Sequence, residues 1–320
     1  MRVAPKPPTD APEPEEELPP PPEAPRSPRA IAWTRRRRAL AQFWRTYRRS
    51  PMGVVGLVIM VAFVLLAILA PLLINERGLS VSFATGKPLQ PPSASYPLGT
   101  DNFGRSVLTL VIYGSKTSLI VGFAATVVAM LIGSAVGIIS GYYGRTVDTI
   151  LNALTNWFLV IPWIALAIVL AAILGASLLN IILVIGITSW AGTARLVRAQ
   201  TLTVKERPYV ERARALGASD RHLVRRHILP NVFPVIFANT ILTVALAILS
   251  ETTLALLGLG DPNTVSWGGI INDAFEAGAL TSGQWWWIIP PGVAICLVVL
   301  AFTMCGYALE EVINPRLRSR

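Results

Sequence analysis

Charged residues are scarce in this chain: they make up 14% of its 320 residues, against 53% hydrophobic, and the mean hydropathy is +0.55. A soluble domain of that length needs more polar surface, so that class is excluded. Cysteine and histidine are scarcer still, with two of each. Cys296 and Cys305 both fall in the last apolar run and read as small buried hydrophobes, which leaves no disulfide framework and no metal cluster. His222 and His227 stand among arginines, where they read as solvated surface. The signatures of catalysis are missing too. Gly86-Lys87 is followed by Pro88, not by the Ser or Thr of a phosphate loop, and Gly258-x-Gly260 lacks the third glycine of a dinucleotide fingerprint. With no HExxH, no CxxC and no Ser–His–Asp set that can be placed together, no catalytic residue is assigned. No cofactor or metal is expected in the chain itself.

What the chain does have is long apolar runs. Several approach or exceed the ~20 residues that cross a bilayer as a helix. A spanning segment must satisfy its own backbone, so the expected fold class is an all-α polytopic membrane protein. Six transmembrane helices are expected near 52–74, 116–141, 149–173, 177–194, 232–253 and 288–309. None carries an ionisable residue at its middle, because Lys116, Asp148, Glu251, Glu310 and Glu311 all fall at or near the ends. A proton- or sodium-coupled carrier needs such groups or broken helices at mid-membrane, so active transport here would draw its energy from a partner.

The net charge of +10 is distributed along the spans rather than gathered for nucleic acid. Arginines cluster at 35–38, at 45, 48 and 49, at 145, from 195 to 226, and at 316, 318 and 320, whereas 257–287 has no lysine or arginine. The positive-inside rule then puts both termini in the cytoplasm of a multi-pass cell-membrane protein, with 75–115 and 257–287 outside. Residues 1–33 are rich in proline and glutamate and read as a disordered cytoplasmic tail. Residues 34–51 combine arginines with Leu40, Phe43, Trp44 and Tyr47 on one helical face, the pattern of a basic interfacial helix. The first apolar run starts beyond residue 50, so no cleavable signal peptide is expected. Small residues in the second span, among them Gly122, Gly133, Ser134, Gly137, Ser140 and Gly141, suit close packing on other helices. Residues 311–320 form a basic cytoplasmic C-terminus.

One segment breaks the apolar pattern: ERARALGASDRHLVRRHILP, residues 211–230. Pro208 suits a first helical turn, and Tyr209, Ala213 and Leu216 then share a face. Gly217 fits the left-handed residue that ends a helix, Ser219 can cap the next, and Asp220 suits its first turn. That second helix carries Leu223, Val224 and Ile228, and Pro230 is expected to separate it from the fifth span. The pattern predicts a helix–Gly–helix elbow on the cytoplasmic face.

The elbow resembles the EAA loop of ABC-transporter permeases: Glu211, Ala213, Gly217, Leu229 and Pro230 all fall on its pattern, while Arg212 replaces an alanine. YPLGTDNFGRSVLTLVIYGSKTSLIVG at 96–122 is similar to the segment after the first span of dipeptide, oligopeptide and nickel permeases of the C type, with Ser106 in place of a frequent aspartate. ILSETTLALLGLGDP at 248–262, SWG at 266–268 and the closing NPRLRSR fit the same group, so the resemblance covers residues 35–320. It implies a type I ABC importer transmembrane domain over 116–310, with a coupling loop at 205–230. It also implies that Glu211, Ala213, Leu216, Gly217, Ala218, Ser219, Leu229 and Pro230 couple to ATPase subunits. The implied partners are a second homologous permease, one or two cytoplasmic ATPases that bind the ATP and Mg, membrane lipid and an extracytoplasmic substrate-binding protein. The implied cargo is di- or oligopeptides first, with nickel chelates and other solutes of this group left open. Asp101, Asn102 and Arg105, beside Gly99 and Gly104, are candidate docking residues for the binding protein.

Overall fold

The computed structural model describes Trp33, Arg37 and residues 41–313, with the side chain of Ile313 left out. The tail at 1–33 apart from Trp33, much of the basic helix at 34–51, and residues 314–320 of the C-terminus lie outside the described residues. The chain divides into residues 1–44 and 45–320. In the first unit the Arg37 guanidinium lies over the Trp33 ring, 4.5 Å from its centroid. Every element named below belongs to the second.

Among the described residues every regular element is helical. Helix α1 spans Pro51–Leu73; Ser50 caps it by accepting a hydrogen bond from the Gly53 N–H at 3.3 Å, and Pro51 occupies the first turn. Helix α2, Val107–Tyr143, starts at the Ser106 cap and ends at Gly144. It is followed by α3 (Arg145–Val160), α4 (Trp163–Leu174), α5 (Leu178–Lys205) and the short α6 (Pro208–Ala215). Helix α7 (Asp220–Leu223) passes through a π turn at Val224–Ile228 into α8 (Leu229–Leu254). Helices α9 (Trp267–Glu276) and α10 (Trp285–Ile313) complete the bundle.

Among the described residues five helical stretches are long and apolar enough to span a bilayer, and a sixth arises if α3 and α4 count together. That pair departs from the sequence expectation of one continuous helix over 149–173: it is bent by 90° at Ile161-Pro162. Proline disfavours the helical conformation in the residue before it, and Ile161 is extended at φ −67°, ψ 127°. With 12 residues, α4 is about 18 Å long, short of the ~30 Å hydrocarbon core. The pair still runs from one half of the bundle to the other. Asp148 and Asn156 of α3 bond Arg198 and Arg195 near the end of α5, whereas Ala167 and Ala171 of α4 pack with Ile181 and Ile185 near its start.

The second span is also longer than expected. Polar residues Tyr113, Ser115 and Lys116 lie within α2, because Ser106 supplies the first strong cap, accepting from the Thr109 N–H at 3.4 Å. Pro230 does not separate the elbow from the fifth span. From Asp220 the chain stays helical through the π turn and on to Leu254, leaving the helix at Gly258, φ +75°; Pro230 sits in the opening turn of α8, just after the π turn.

The small residues of α2 pack inside this chain. A Cβ on Gly137 would stand 2.6 Å from the Ala194 carbonyl oxygen, and one on Gly133 or Gly141 would press on Thr193 or Thr201. These glycines, one per turn, bring α2 and α5 into backbone contact. Two apolar clusters sit at opposite ends. One gathers Val107, Leu110, Trp267 and Trp287 where α2 starts, and the other gathers Tyr142, Val204, Val210, Leu223 and Ile228 where it ends.

Candidate functional site

The elbow follows from its sequence almost residue by residue. At the end of α6 the Gly217 N–H donates to the Arg214 carbonyl at 3.0 Å and the Ala218 N–H to the Ala213 carbonyl at 3.1 Å. These paired bonds are a Schellman motif, which satisfies carbonyls that a helix end leaves free. Gly217 has φ +84°, and nothing lies within 4 Å of a Cβ added there. The position therefore demands a conformation, not space. Ser219 is extended at φ −67°, ψ 153°, and its Oγ caps α7 by accepting from the His222 N–H at 3.4 Å.

Three fully buried side chains, Val210, Leu223 and Ile228, anchor the elbow in the cluster at the end of α2. Ala213 and Ala218 pack on the same cluster. Of the expected face of Tyr209, Ala213 and Leu216, only Ala213 turns inward; Tyr209 is exposed and Leu216 is 88% exposed. Two polar contacts fix the orientation. The Tyr142 hydroxyl donates to Asp220 Oδ1 at 2.6 Å, and Lys205 Nζ donates to the Tyr142 carbonyl.

Arg214 also lies over the Tyr142 ring, its Cζ 6.0 Å from the centroid, while the other charges of the elbow face outward. Arg207, Glu211, Arg212, Arg214, Arg221, Arg225 and Arg226 are exposed and form no ion pair among the described residues. The Glu211 carboxylate has no hydrogen-bonding partner there, so it does not brace the elbow. Leu229 and Pro230 are exposed on the opening turn of α8. The structure brings Glu211, Leu216, Gly217 and Ser219 together around one turn and places Leu229 and Pro230 one helix further on.

The candidate docking residues at the other end of α2 have a different character. Asp101 is fully buried. Its Oδ1 accepts from the N–H groups of Phe103 at 2.9 Å and Arg105 at 2.8 Å, and its Oδ2 accepts from Arg105 Nε at 2.5 Å. Asp101 thus has no charge to offer a partner: its carboxylate closes the loop upon itself. Arg105 is 12% exposed and also reaches Asp273 at 3.7 Å and the Leu79 carbonyl at 3.4 Å. Asn102 keeps Oδ1 buried without a hydrogen-bond partner. The neighbouring Thr100 hydroxyl donates to the Lys87 carbonyl and accepts from the Gln90 N–H, while Trp286 Nε1 donates to the Thr100 carbonyl at 3.3 Å. Ser106 acts as the α2 cap, a role that aspartate fills equally well.

One buried polar group stands out only in three dimensions. Glu251, read from sequence as a span-end residue, is 3% exposed. Ser118 Oγ donates to its carboxyl at 3.2 Å and accepts from the Trp267 N–H at 3.2 Å, which ties α2, α8 and α9 together. The sequence signal was an acidic residue inside a long apolar run, whose partners lie in α2 and α9.

Comparisons with known proteins agree on what such a bundle is. Residues 133–319 match the family model described as binding-protein-dependent transport system inner membrane component. Residues 39–92 match the N-terminal TM domain of oligopeptide transport permease C. The chain is 36% identical over 276 residues to a dipeptide transport system permease protein of Alkalihalophilus pseudofirmus, covering 85% of this chain and 88% of that one. It is 34% identical over 273 residues to an oligopeptide transport system permease protein of Bacillus subtilis, covering 85% and 88%. Among solved structures, the fold resembles a chain of the MetNI methionine ABC transporter, with a TM-score of 0.51 at 20% identity, covering 66% of this chain and 97% of that one. With its spanning helices and type I importer fold in place, the chain belongs to the family of binding-protein-dependent transport system inner membrane components, the permease subunits of ABC importers.

Proposed function

We propose that this permease forms the translocation pathway of a peptide importer together with a second homologous permease, and that its elbow docks on cytoplasmic ATPase subunits. The observation that carries the coupling role is the contrast within the elbow: a buried apolar anchor below and unpaired charges with an 88% exposed Leu216 above. A lever needs both, one side rigid against the bundle and one side free to be gripped. The chain itself is non-catalytic; ATP and Mg are bound by the ATPases, whose closure moves the elbow and switches the access of the bundle. The peptide cargo is supported by the dipeptide and oligopeptide permeases it resembles. Both termini and the elbow lie in the cytoplasm, as the arginine distribution supports. A substrate-binding protein delivers cargo on the opposite side, where the braced loop at 98–107 offers a platform with Phe103 exposed.

The test is Gly217→Val. A β-branched residue held at φ +84° costs at least about 1–2 kcal/mol, and no neighbouring atom needs to move to create that cost. The variant should insert and pack normally but lose its ATPase subunits on purification, or hydrolyse ATP without uptake. Full uptake together with full substrate-stimulated ATPase activity would exclude the elbow as the coupling element.

A further inference from the structure

A cavity of about 800 Å³ opens between the first turns of α2, the loop following α8, and α9. It lies at the opposite end of α2 from the elbow: its α2 lining runs from Leu110 to Ile120, whereas Tyr142 contacts the elbow. At about 1.5 Å per residue, the separation is roughly 33–48 Å. The volume falls in the range of small-ligand sites, about 300–1,000 Å³.

Its charges are unusual for a loop-lined hollow. Glu76, Asp261, Asp273 and Glu276 line it together with Arg105 and Lys116. Some of these are committed. Arg105 is held by Asp101 and Asp273, Asp261 accepts from the Leu178 and Asn263 N–H groups, and Glu76 accepts from the Tyr113 hydroxyl at 3.1 Å. Two are not. Lys116 makes no ion pair among the described residues, its Nζ standing 5.4 Å from the Tyr113 ring centroid. Glu276 is exposed and accepts one hydrogen bond, from Asn272 Nδ2 at 3.3 Å. Opposite charges that share one hollow without neutralising each other fit a ligand carrying both an ammonium and a carboxylate.

We propose that this cavity is a cargo subsite of the permease itself, where a short peptide released by the binding protein is held before the bundle switches. Lys116 takes the peptide carboxylate, and Glu276 takes its α-ammonium group. The proposal rests on the peptide reading above and adds to it a place in this chain where the cargo is recognised. A site of this kind selects free termini and stays indifferent to the side chains between them, as a broad peptide importer requires.

The experiment uses the assembled complex of both permeases and the ATPases in lipid nanodiscs. The exposed native Cys296 is replaced by alanine, and Ile120, exposed on the cavity wall, is replaced by cysteine. Trialanine at millimolar concentration should slow thiol modification of that cysteine severalfold, and N-acetyl-trialanine amide should not. Protection should be lost in Lys116→Gln and in Glu276→Gln, each of which leaves complex assembly intact. Absence of protection by trialanine, or equal protection in both charge variants, would overturn the subsite. Peptide uptake by the parent complex, measured in parallel with the binding protein, separates the two claims. Uptake without protection removes the subsite alone, whereas no uptake removes the peptide reading together with it.

Discussion

The two ends of α2 teach different lessons about charge. At the Tyr143 end, six arginines and Glu211 stand exposed and unpaired among the described residues, while the apolar side chains beneath them are fully buried. At the Val107 end, Asp101 is fully buried and saturated by three hydrogen bonds, with Arg105 held between two carboxylates. Exposed unpaired charge adds little to stability and remains available to a partner. Buried, saturated charge is the reverse: removing one member strands the other. The elbow thus leaves its charge outside its own fold, as the proposed docking role requires, and the loop is built to hold its own shape.

The comparison breaks most completely if the two ends share a side of the membrane. Single cysteines at Ser95 and Thr281, on the loop end, should react with an impermeant thiol reagent in intact cells carrying Cys296→Ala. A cysteine at the exposed Ala215 of the elbow should react only after permeabilisation. The expected contrast is all or none. Labelling at Ala215 in intact cells would invert the topology and remove the ATPase role proposed for the elbow.

Next in size is the loop brace. Asp101→Ala leaves two N–H groups without an acceptor and a guanidinium at 12% exposure without its nearest carboxylate. A loss of about 3–5 kcal/mol follows for a broken buried pair. Asp101→Asn keeps an oxygen for the two N–H donors and loses only the charge, so its cost should fall to about 1–2 kcal/mol. Thermal unfolding of the purified complex would rank the two. Equal midpoints for both variants would mean that the brace is not what orders the loop.

Much of this contrast was legible in the sequence, but unevenly. Apolar runs located the spans because a helix in lipid has few alternatives. Leu216-Gly217 and Ser219 located the elbow because helix ends are decided within four or five residues. The bend at Ile161-Pro162 was overridden by the length of the apolar run around it, although the Ile-Pro pair was visible. The burial of Asp101 and of Glu251 was not legible in the sequence, for a common reason. Burial of a carboxylate depends on distant donors, and Ser118 lies 133 residues from Glu251 in the chain. Local pattern carries no record of such a partner.

A smaller effect separates anchor from grip at the elbow itself. Leu216 is 88% exposed, so Leu216→Ser should change stability by less than about 0.5 kcal/mol. If the ATPase covers that side chain, the loss of its burial is about 1.5–3 kcal/mol, roughly a tenfold or greater weakening of subunit affinity. Titration of detached ATPase subunits onto the permease pair would measure it. Unchanged affinity would move the grip away from Leu216 and onto the arginines.

The smallest effect is expected at Asp273, the second carboxylate on Arg105. Its side chain is 51% exposed and stands 3.7 Å from Arg105, against 2.5 Å for Asp101. Partial burial raises its pKa, and nearby Arg105 lowers it in part; Asp101 and Glu276 add to the rise. A carboxyl group whose folded pKa is raised costs stability where it is ionised, and the cost disappears as pH falls through that raised value. Asp273→Asn should therefore be neutral or slightly stabilising near neutral pH, by less than about 1 kcal/mol after allowance for solvent screening. The difference from the parent should shrink as the pH is lowered from neutral to the acid side of that raised value. Unfolding midpoints at the two pH values would show it. A clear destabilisation at neutral pH would instead make Asp273 a true partner of Arg105, and the loop end would then rest on two carboxylates where the geometry gives the weight to Asp101.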